Sequence, residues 1–438
     1  MNMDQPEVRT TFSTPLGAVL ATAGVAIGLG NIWRFPYMMG KYGGSAFLLL
    51  YILIVLAFGI PALMAEYALG RHTGRGPLGA FRMARLPGAK FWGGLLLLTI
   101  FMAASYYGTI LAMALQRATS FTIAAASPGQ AGSTVAVSDG FAVQMSFVLI
   151  TVALGCGVTW LGVRRGIERA SRYGLPLFFL LFIALIVRVL TLDGAMEGLR
   201  EFLVPQPKNF TGATVLAAMG QAFFSLSLGG TFMVVYGSYM RANDSIPAAA
   251  IGTTIADLSA ALMAGLIVVP AVLALGLDMA SGPALLFSVM PEVFATMPMG
   301  SVFGAAFFFA VFLVGLLSLI AAYEVLASAA EHWLGWSRAR TVAVLLVVQV
   351  PLSIPAVLSD GYIGYSDLIW GTTMQPLGSG LAIVALIWCI GRAKAMKEIA
   401  RASRLPMPTL LFYWLKYVIP TGVVVTLAYG WISQLRSS

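Results

Sequence analysis

The feature that most restricts the fold of this sequence is a polar interruption in its first apolar segment. Residues Gly24-Val-Ala-Ile-Gly-Leu-Gly-Asn-Ile-Trp-Arg-Phe-Pro36 place three glycines, an asparagine, an arginine and a proline where a membrane-spanning helix would lie. The hydrocarbon core offers no water to backbone groups, so a helix that breaks there must bond its freed carbonyls and amides to protein, water or a ligand. Interrupted helices at mid-membrane are typical of the binding sites of secondary transporters.

The rest of the chain predicts an all-α polytopic membrane protein. Of its 438 residues, 59% are hydrophobic and only 10% are charged, a balance that no ordinary soluble domain has. Apolar segments long enough to cross a bilayer, about 20 residues each, lie at 15–38, 43–70, 91–117, 141–161, 172–192, 213–240, 248–277, 301–334, 340–358, 364–391 and 409–434. We therefore expect eleven spans in a single integral domain, 1–438.

Basic residues alternate with the spans. The loops after spans two, four, six, eight and ten are basic, for example at Arg71, Arg164 and Arg392. Lysine and arginine are retained on the cytoplasmic side, so the amino terminus is expected in the cytoplasm and the chain in a bacterial cytoplasmic (inner) membrane. The net charge of +9 then reflects topology, with the lipid bilayer as partner and no nucleic acid and no obligate protein partner.

A second interruption falls five spans after the first. Gln221-Ala-Phe-Phe-Ser-Leu-Ser-Leu-Gly-Gly230 places two serines and a glycine pair inside span six. Corresponding breaks in two halves indicate an inverted repeat with the site between them, the first repeat covering about 15–192 and the second about 213–391, with an extra helix at about 409–434. The alternative is that Gly24 and Gly28 only allow close helix packing, as GxxxG pairs do.

Several motifs together resemble one family. Ala26-Ile-Gly-Leu-Gly-Asn-Ile-Trp-Arg-Phe-Pro36, Gly43-Gly-Ser-Ala-Phe47, Gly59-Ile-Pro61, Glu66, Gly70-Arg71 and Gln221 to Gly229 resemble the neurotransmitter:sodium symporters, in particular the bacterial LeuT-like amino-acid transporters. The resemblance implies a LeuT-like fold of 11 transmembrane helices with a 5+5 inverted repeat and unwound helices 1 and 6.

The resemblance also implies the function: sodium-coupled symport of an amino acid into the cell by alternating access. A sodium-dependent amino-acid receptor, or a channel-like protein without concentrative transport, is the alternative, because a binding site alone does not prove turnover. An enzyme is not expected, since the sequence has no metal-ligand cluster and no nucleophile motif.

Two sodium sites follow from the resemblance. The first takes the Ala26 carbonyl and the side chains of Asn31, Ser225 and Asp257. An asparagine is typical of the LeuT-like branch at Asp257, while its acidic residue one turn later is Ala261 here. The negative charge has moved, which predicts chloride independence; the alternative is a paired, purely structural Asp257.

The second sodium site takes the carbonyls of Gly24, Ile27 and Val314 and the hydroxyl of Ser318. Leu317 stands where the family has an oxygen-bearing side chain. The second site is therefore weak, completed by water, or absent. The sequence predicts the first sodium site and leaves the ratio of sodium to substrate open.

The substrate site follows from the broken helices and from the resemblance. Amides at Leu29 and Gly30 suit a carboxylate, and carbonyls near Ala26, Phe224 and Ser225 suit an ammonium group. The family places a carboxylate-binding tyrosine at Tyr107 and an amine-binding hydroxyl at Ser227. The positions that line its side-chain pocket are Ala103, Gly230, Leu319 and Ala322, with Phe224 as a lid.

These pocket residues are mostly small, which predicts a large hydrophobic or aromatic L-amino acid as substrate. Gly230 has an alternative role in the flexibility of the helix break. Gates are expected outside the site at Arg34 and Asp367 and inside it at Arg9 and Glu331. His332 occupies the position of the family's inner aspartate, and Gly166 and Pro176 resemble a motif that lets span five unwind.

Overall fold

The protein is described by a computed structural model that covers residues 10–127, 137–277, 279, 285–404 and 408–437. Within these ranges the regular structure is helical. The helices are α1 Pro15–Ala26, α2 Gly30–Lys41, α3 Ser45–Thr73, α4 Pro77–Met83, α5 Ala89–Ala126, α6 Phe141–Trp160, α7 Val163–Val189, α8 Ala195–Leu203, α9 Gly212–Ser225, α10 Phe232–Ser238, α11 Ile246–Ala274, α12 Leu285–Thr296, α13 Gly300–Leu334, α14 Arg338–Leu358, α15 Asp360–Ile390, α16 Arg392–Ala400 and α17 Thr409–Ile432.

Nine helices in the described ranges are long and apolar enough to cross a membrane, and the bent pair of α1 and α2 raises the number to ten. The eleventh expected span corresponds to α9 and α10, which are separated by 226–231. At 14 and 7 residues, neither reaches the roughly 30 Å of a hydrocarbon core at 1.5 Å per residue. The count of eleven therefore stays a prediction.

The first break has a local cause. Thr14 caps α1 by accepting from the amide of Gly17 at 2.9 Å, and Pro15 occupies its first turn, both favourable at a helix start. The helix ends at Ala26 because Ile27 adopts an extended conformation, with φ −72° and ψ 117°. α2 then resumes at Gly30 with a π-helical turn, and the two axes differ by 50°.

The second break is similar. Thr211 caps α9 through the amide of Thr214 at 3.2 Å, and the helix ends at Ser225. Ser227 and Gly230 have φ of +51° and +63°, which no α-helix accommodates. Both breaks therefore come from backbone conformation within the segments that the sequence singled out.

The packing places both breaks in the middle of the bundle. In α5 and α13 the apolar stretch is 67% buried, whereas in α17 it is 22% buried. α13 packs most extensively against α5, α10 packs against α3, and α1 packs against α11. Exposed apolar side chains such as Leu149, Ile183 and Val347 lie on the outer helices, where lipid would contact them. The two broken helices thus lie among α3, α5, α11, α13 and α15.

Candidate functional site

Side chains of the second broken segment donate hydrogen bonds to carbonyls of the first. Ser227, in the second break, donates from its hydroxyl to the carbonyl of Val25 at 3.0 Å. Gln221, in α9, donates from Nε2 to the carbonyl of Gly30 at 2.8 Å. Within the first break, the amide of Gly28 bonds to Oδ1 of Asn31 at 3.0 Å. Polar backbone groups that the interruption frees are thus partly satisfied inside the protein, as a buried chain requires.

A cluster of oxygens lies next to the breaks. Asn31 Nδ2 is 2.7 Å from Oδ1 of Asp257 and 2.9 Å from Oγ of Ser225. The Ser225 hydroxyl lies 2.9 Å from Oδ1 of Asp257, and Tyr51 donates to both Ser225 and Asp257 at 3.1 and 3.3 Å. These four side chains are buried, and they come from α2, α3, α9 and α11.

The charge of this cluster is not balanced by a basic side chain. In the described part of the chain no lysine, arginine or histidine forms an ion pair with Asp257. A buried carboxylate needs a cation or strong donors, and its partners here are neutral hydroxyl and amide groups. Hydroxyl, amide and carboxylate oxygens suit a hard cation. Asn31, Ser225 and Asp257, predicted for the first sodium site, therefore meet, with Ala26 in the adjoining cavity wall. The Ser225 hydroxyl and the Asp257 carboxylate fit sodium, whereas Asn31 presents its nitrogen to them and its Oδ1 accepts from the amide of Gly28.

The region predicted for the second sodium is partly filled by hydrocarbon. Ser318 donates to the carbonyls of Val25 and Ile27 at 3.1 and 3.2 Å. A β carbon on Gly24 would lie 3.3 Å from Cδ1 of Leu317 and 2.7 Å from Oγ of Ser171. Leu317 thus fills the space beside Gly24, and Ser171 of α7 is a hydroxyl there that the sequence did not indicate.

Val314 is buried in α13, one turn before Ser318. The structure thus brings Ser318 to Ile27 and Leu317 to Gly24, and the leucine methyl groups lower the polarity of this place. A sodium ion held by the carbonyls of Gly24, Ile27 and Val314 stays a prediction.

A cavity adjoins both places. The predicted residues that line it are Ala26, Leu29, Gly30, Ala103, Tyr107, Phe224, Ser225, Ser227, Leu319 and Ala322. Further lining residues, which the sequence analysis did not assign to the substrate pocket, are Gly28, Ile100, Ala104, Tyr106, Phe232, Ser318 and Gln375. Ile100, Ala103, Ala104 and Tyr107 follow the i, i+3, i+4, i+7 spacing of one helix face, so Ile100 and Ala104 were recognisable from Ala103 and Tyr107.

One end of the cavity presents donors. The amide of Leu29 lies 3.3 Å from the hydroxyl of Tyr107. A β carbon on Gly28 would lie 2.7 Å from both the Tyr107 and the Ser318 hydroxyls, so only glycine allows this approach. The predicted carboxylate-binding groups, Leu29 and Tyr107, are thus neighbours. Gly24 and Gly28 do permit close packing, as the alternative had it, but the groups that approach them are hydroxyls.

Gly230 lies outside the cavity lining, contrary to the prediction that it widens the pocket. Its φ is +63°, and a β carbon would lie 2.9 Å from the carbonyl carbon of Gly378 in α15. Glycine is required here by the backbone conformation and by the contact with α15. Phe232, two residues later in the chain, and Gln375 of α15 line the cavity.

A layer of side chains separates this cavity from a larger one. The guanidinium of Arg34 lies 4.4 Å above the ring of Phe224. Arg34 donates to Oγ1 of Thr372 at 3.3 Å, and Thr372 lies 3.5 Å from Oδ2 of Asp367. Tyr106 donates to Oδ1 of Asp367 at 3.2 Å. The two predicted gate residues, Arg34 and Asp367, are thus joined through Thr372, and the second cavity lies against both of them.

The opposite end is closed by the amino-terminal segment. Phe12 is fully buried, 6.1 Å from the rings of both Tyr236 and Tyr239, and its amide bonds to the carbonyl of Tyr239 at 3.0 Å. The amide of Ser13 donates to Oε2 of Glu168 at 3.0 Å. Arg9, predicted for the inner gate, lies outside the described residues.

Glu331, the predicted partner of Arg9, is paired with Arg338 at 3.2 Å. Arg338 is the first residue of α14, which begins four residues after α13 ends. Arg338 also pairs with Glu324, and Glu324 accepts from the Tyr239 hydroxyl at 2.6 Å. Glu324 is fully buried. The sequence signal that could have found it is an acidic residue within an apolar span.

Comparison with known proteins agrees with this geometry. The sequence model of the sodium:neurotransmitter symporter family matches residues 9–128 and 133–437. An uncharacterized sodium-dependent transporter, YhdH of Bacillus subtilis, is 31% identical over 94% of this chain and 96% of its own. An uncharacterized sodium-dependent transporter of Methanocaldococcus jannaschii is 30% identical over 95% of this chain and 88% of its own. The crystal structure of MhsT in complex with L-phenylalanine has a TM-score of 0.85 and 31% identity, covering 96% of this chain and 100% of that one.

Proposed function

Because this chain belongs to the sodium:neurotransmitter symporter family, we propose that it carries a large hydrophobic or aromatic L-amino acid into the cell together with sodium. The family consists of membrane transporters, so the chain is a multi-pass membrane transporter with a LeuT-like fold and not an enzyme. Sodium use and an amino-acid substrate accord with sodium-dependent relatives and with the phenylalanine complex of MhsT. Two further proposals are that the substrate is large and that transport does not depend on chloride.

The observation that carries the proposal is the buried Asp257 carboxylate at the junction of the two breaks. Asn31 and Ser225 bond to it at 2.7 and 2.9 Å, and no basic side chain of the described ranges pairs with it. A sodium ion there supplies the missing positive charge. The carboxylate also supplies the negative charge that chloride would otherwise bring, which supports chloride-independent transport.

The substrate is oriented by the ends of the broken helices. Its carboxylate bonds to the amides of Leu29 and Gly30 and to the hydroxyl of Tyr107, while its ammonium group faces the carbonyls near Ala26, Phe224 and Ser225. Small residues such as Ala103 and Ala322 leave room for a large side chain. The substrate carboxylate and the sodium lie against the same short segment of backbone, so each raises the affinity for the other.

A single sodium ion at the first site is the stoichiometry that this chain favours. The second place offers the carbonyls of Gly24, Ile27 and Val314 and the hydroxyl of Ser318, but Leu317 adds methyl groups where the family has an oxygen. Sodium binds weakly at this second site, or water and Ser171 complete its coordination.

Transport follows by alternating access. The outer side is closed by Phe224 and by the layer that Arg34, Thr372 and Asp367 form. The inner side is closed by Phe12, Tyr239 and Glu324. The inward sodium gradient drives uptake across the bacterial cytoplasmic membrane, with the amino terminus in the cytoplasm. The two halves, about 15–192 and 213–391, move as inverted repeats around the site, and no protein partner or nucleic acid is required.

A receptor or channel-like protein without concentrative transport is the second candidate, because a cavity with two closed ends also suits a binding protein. Two experiments separate the candidates. Equilibrium binding of all twenty amino acids in sodium and in potassium identifies the ligand. Counterflow in proteoliposomes then decides: exchange that is stimulated by unlabelled substrate on the far side supports a carrier, whereas sodium-dependent binding without exchange or accumulation supports a receptor.

A further inference from the structure

Gln375 of α15 is a polar residue in the wall of the substrate cavity. Gln375 lines the cavity, and its Oε1 is shielded from water without a hydrogen-bond partner in the described part of the chain. An amide oxygen buried in this way destabilises the protein. A ligand that pairs with the amide would remove that cost.

Other polar side chains of the cavity wall are already hydrogen-bonded within the protein, whereas Oε1 of Gln375 has no partner in the described residues. The Tyr106 hydroxyl bonds to Asp367 at 3.2 Å, and the Ser227 and Ser318 hydroxyls bond to the carbonyl of Val25 at 3.0 and 3.1 Å. Ile100 and Phe232 add apolar side chains to the same cavity wall, and Phe232 follows by three residues Gly229, which lies against Gln375. Within the described ranges, Gln375 is therefore the side-chain amide available to the substrate.

The cavity extends from the carboxylate end along α5. Ile100 precedes Tyr107 by seven residues, which is about 10 Å along a helix axis, and both line the cavity. The main-chain groups of an amino acid bind at Leu29 and Tyr107, so its side chain extends towards the part of the wall that Ile100 and Phe232 form.

Backbone contacts hold Gln375 at this wall. A β carbon on Gly229 would lie 3.6 Å from both Cα and Cβ of Gln375, and one on Gly230 would lie 2.9 Å from the carbonyl carbon of Gly378. These glycines bring α15 against the second break, which fixes the backbone of Gln375. Rotation about the last side-chain bond still exchanges Oε1 and Nε2, so the amide presents either an acceptor or a donor.

We propose that Gln375 selects amino acids whose aromatic ring carries a hydrogen-bond donor, namely tyrosine and tryptophan, over phenylalanine and leucine. The proposal rests on the proposed function, because it requires an amino acid in this cavity. A site with a buried polar group favours the ligand that pairs with it and rejects the analogue that leaves it unpaired. The aromatic ring packs against Ile100 and Phe232 in either case, so the donor group decides the difference.

The test compares two pairs of ligands that differ in the donor and little in shape. Sodium-dependent equilibrium binding to the purified full chain is measured for L-tyrosine against 4-methyl-L-phenylalanine and for L-tryptophan against 1-methyl-L-tryptophan. We expect a preference of about tenfold for the donor-bearing member of at least one pair, the size of one well-made hydrogen bond. Gln375→Leu should reduce this preference to less than about twofold while the affinity for L-phenylalanine stays within about twofold.

Gln349→Leu is the matched control, because Gln349 is a buried glutamine whose Nε2 bonds to the carbonyl of Phe101 and which does not line the cavity. It should keep the preference. If Gln375→Leu does not fold, Gln375→Met replaces it, and the wild-type ligand pairs are informative without any variant. Equal affinities within both pairs, or a preference that survives in the Gln375 variant, would overturn the proposal. If no amino acid binds in sodium, the proposed function itself fails.

Discussion

Asn31 donates from its side-chain nitrogen to Oδ1 of Asp257 at 2.7 Å, across the gap between the first broken helix and α11. The contact joins a flexible break to an unbroken helix, and Ser225 of the second break bonds to the same carboxylate at 2.9 Å. One carboxylate thus holds both breaks, so its charge is coupled to the shape of the site. This coupling is the basis of the first prediction.

Asp257→Asn should weaken sodium binding and make it depend on chloride. Removing the charge leaves a cation among neutral oxygens, which should weaken sodium binding by at least about tenfold, because hydrogen bonds and contacts to a buried charge contribute about 1.5–3 kcal/mol. The measurement is substrate uptake into proteoliposomes in sodium gluconate and in sodium chloride. Wild type should be equally active in both salts, and the variant should recover partly in chloride. Asp193→Asn, an exposed loop change, is the control; a large loss of wild-type uptake in gluconate would contradict chloride independence.

Leu317→Thr should strengthen the second sodium site. The threonine hydroxyl would add an oxygen on the side chain whose leucine methyl now lies 3.3 Å from the β-carbon position of Gly24, next in sequence to Ser318, which bonds to the carbonyl of Ile27. The sodium concentration for half-maximal substrate binding should fall several-fold, and the Hill coefficient for sodium should rise from about one towards two.

Leu317→Val is the matched control for that change, because it removes similar volume and adds no oxygen. If the threonine and valine variants have the same sodium dependence as wild type, no residual site exists there.

Tyr239→Phe should loosen the inner closure. It removes the hydroxyl that donates to the buried Glu324 at 2.6 Å, and a lost hydrogen bond to a charged group costs about 1.5–3 kcal/mol. The segment at Phe12, whose amide bonds to the Tyr239 carbonyl, should then exchange amide hydrogens faster in potassium, and sodium with substrate should slow the exchange again.

Tyr236→Phe provides the control for the inner closure, since the Tyr236 hydroxyl is buried without a hydrogen-bond partner in the described part of the chain. Its exchange should match wild type. Equal exchange in both variants would mean that the Tyr239 hydroxyl does not hold the inner side closed.

Gly230→Ala should destabilise the protein. A side chain at φ +63° costs about 1–2 kcal/mol, and the contact with Gly378 adds to this. The thermal unfolding midpoint in detergent should fall by several degrees. Gly157→Ala, where a β carbon meets nothing within 4 Å, is the control. A changed substrate preference at unchanged stability would instead indicate that Gly230 lines the substrate pocket.

The sequence predicted the breaks from local chemistry, because glycine, proline and polar residues inside an apolar span have few explanations. Asn31, Ser225 and Asp257 come from separate helices, and they were grouped in advance through the resemblance of their motifs to a known family. Gln375 escaped prediction because its role depends on how helices distant in sequence approach each other, and the partners of Glu324 depend on packing in the same way. Gly230 was misplaced for the same reason: residue volume predicts free space only when the direction of the missing side chain is known.

The hydrogen bonds between the two broken segments have a consequence for redesign of the site. Ser227 donates to the Val25 carbonyl and Gln221 to the Gly30 carbonyl, so the second segment supplies donors to the backbone of the first. Straightening the second helix would move Ser227 away and leave the Val25 carbonyl with one partner fewer in a low-dielectric interior. The first interruption therefore depends on the second, and a redesigned pocket must alter both halves at once.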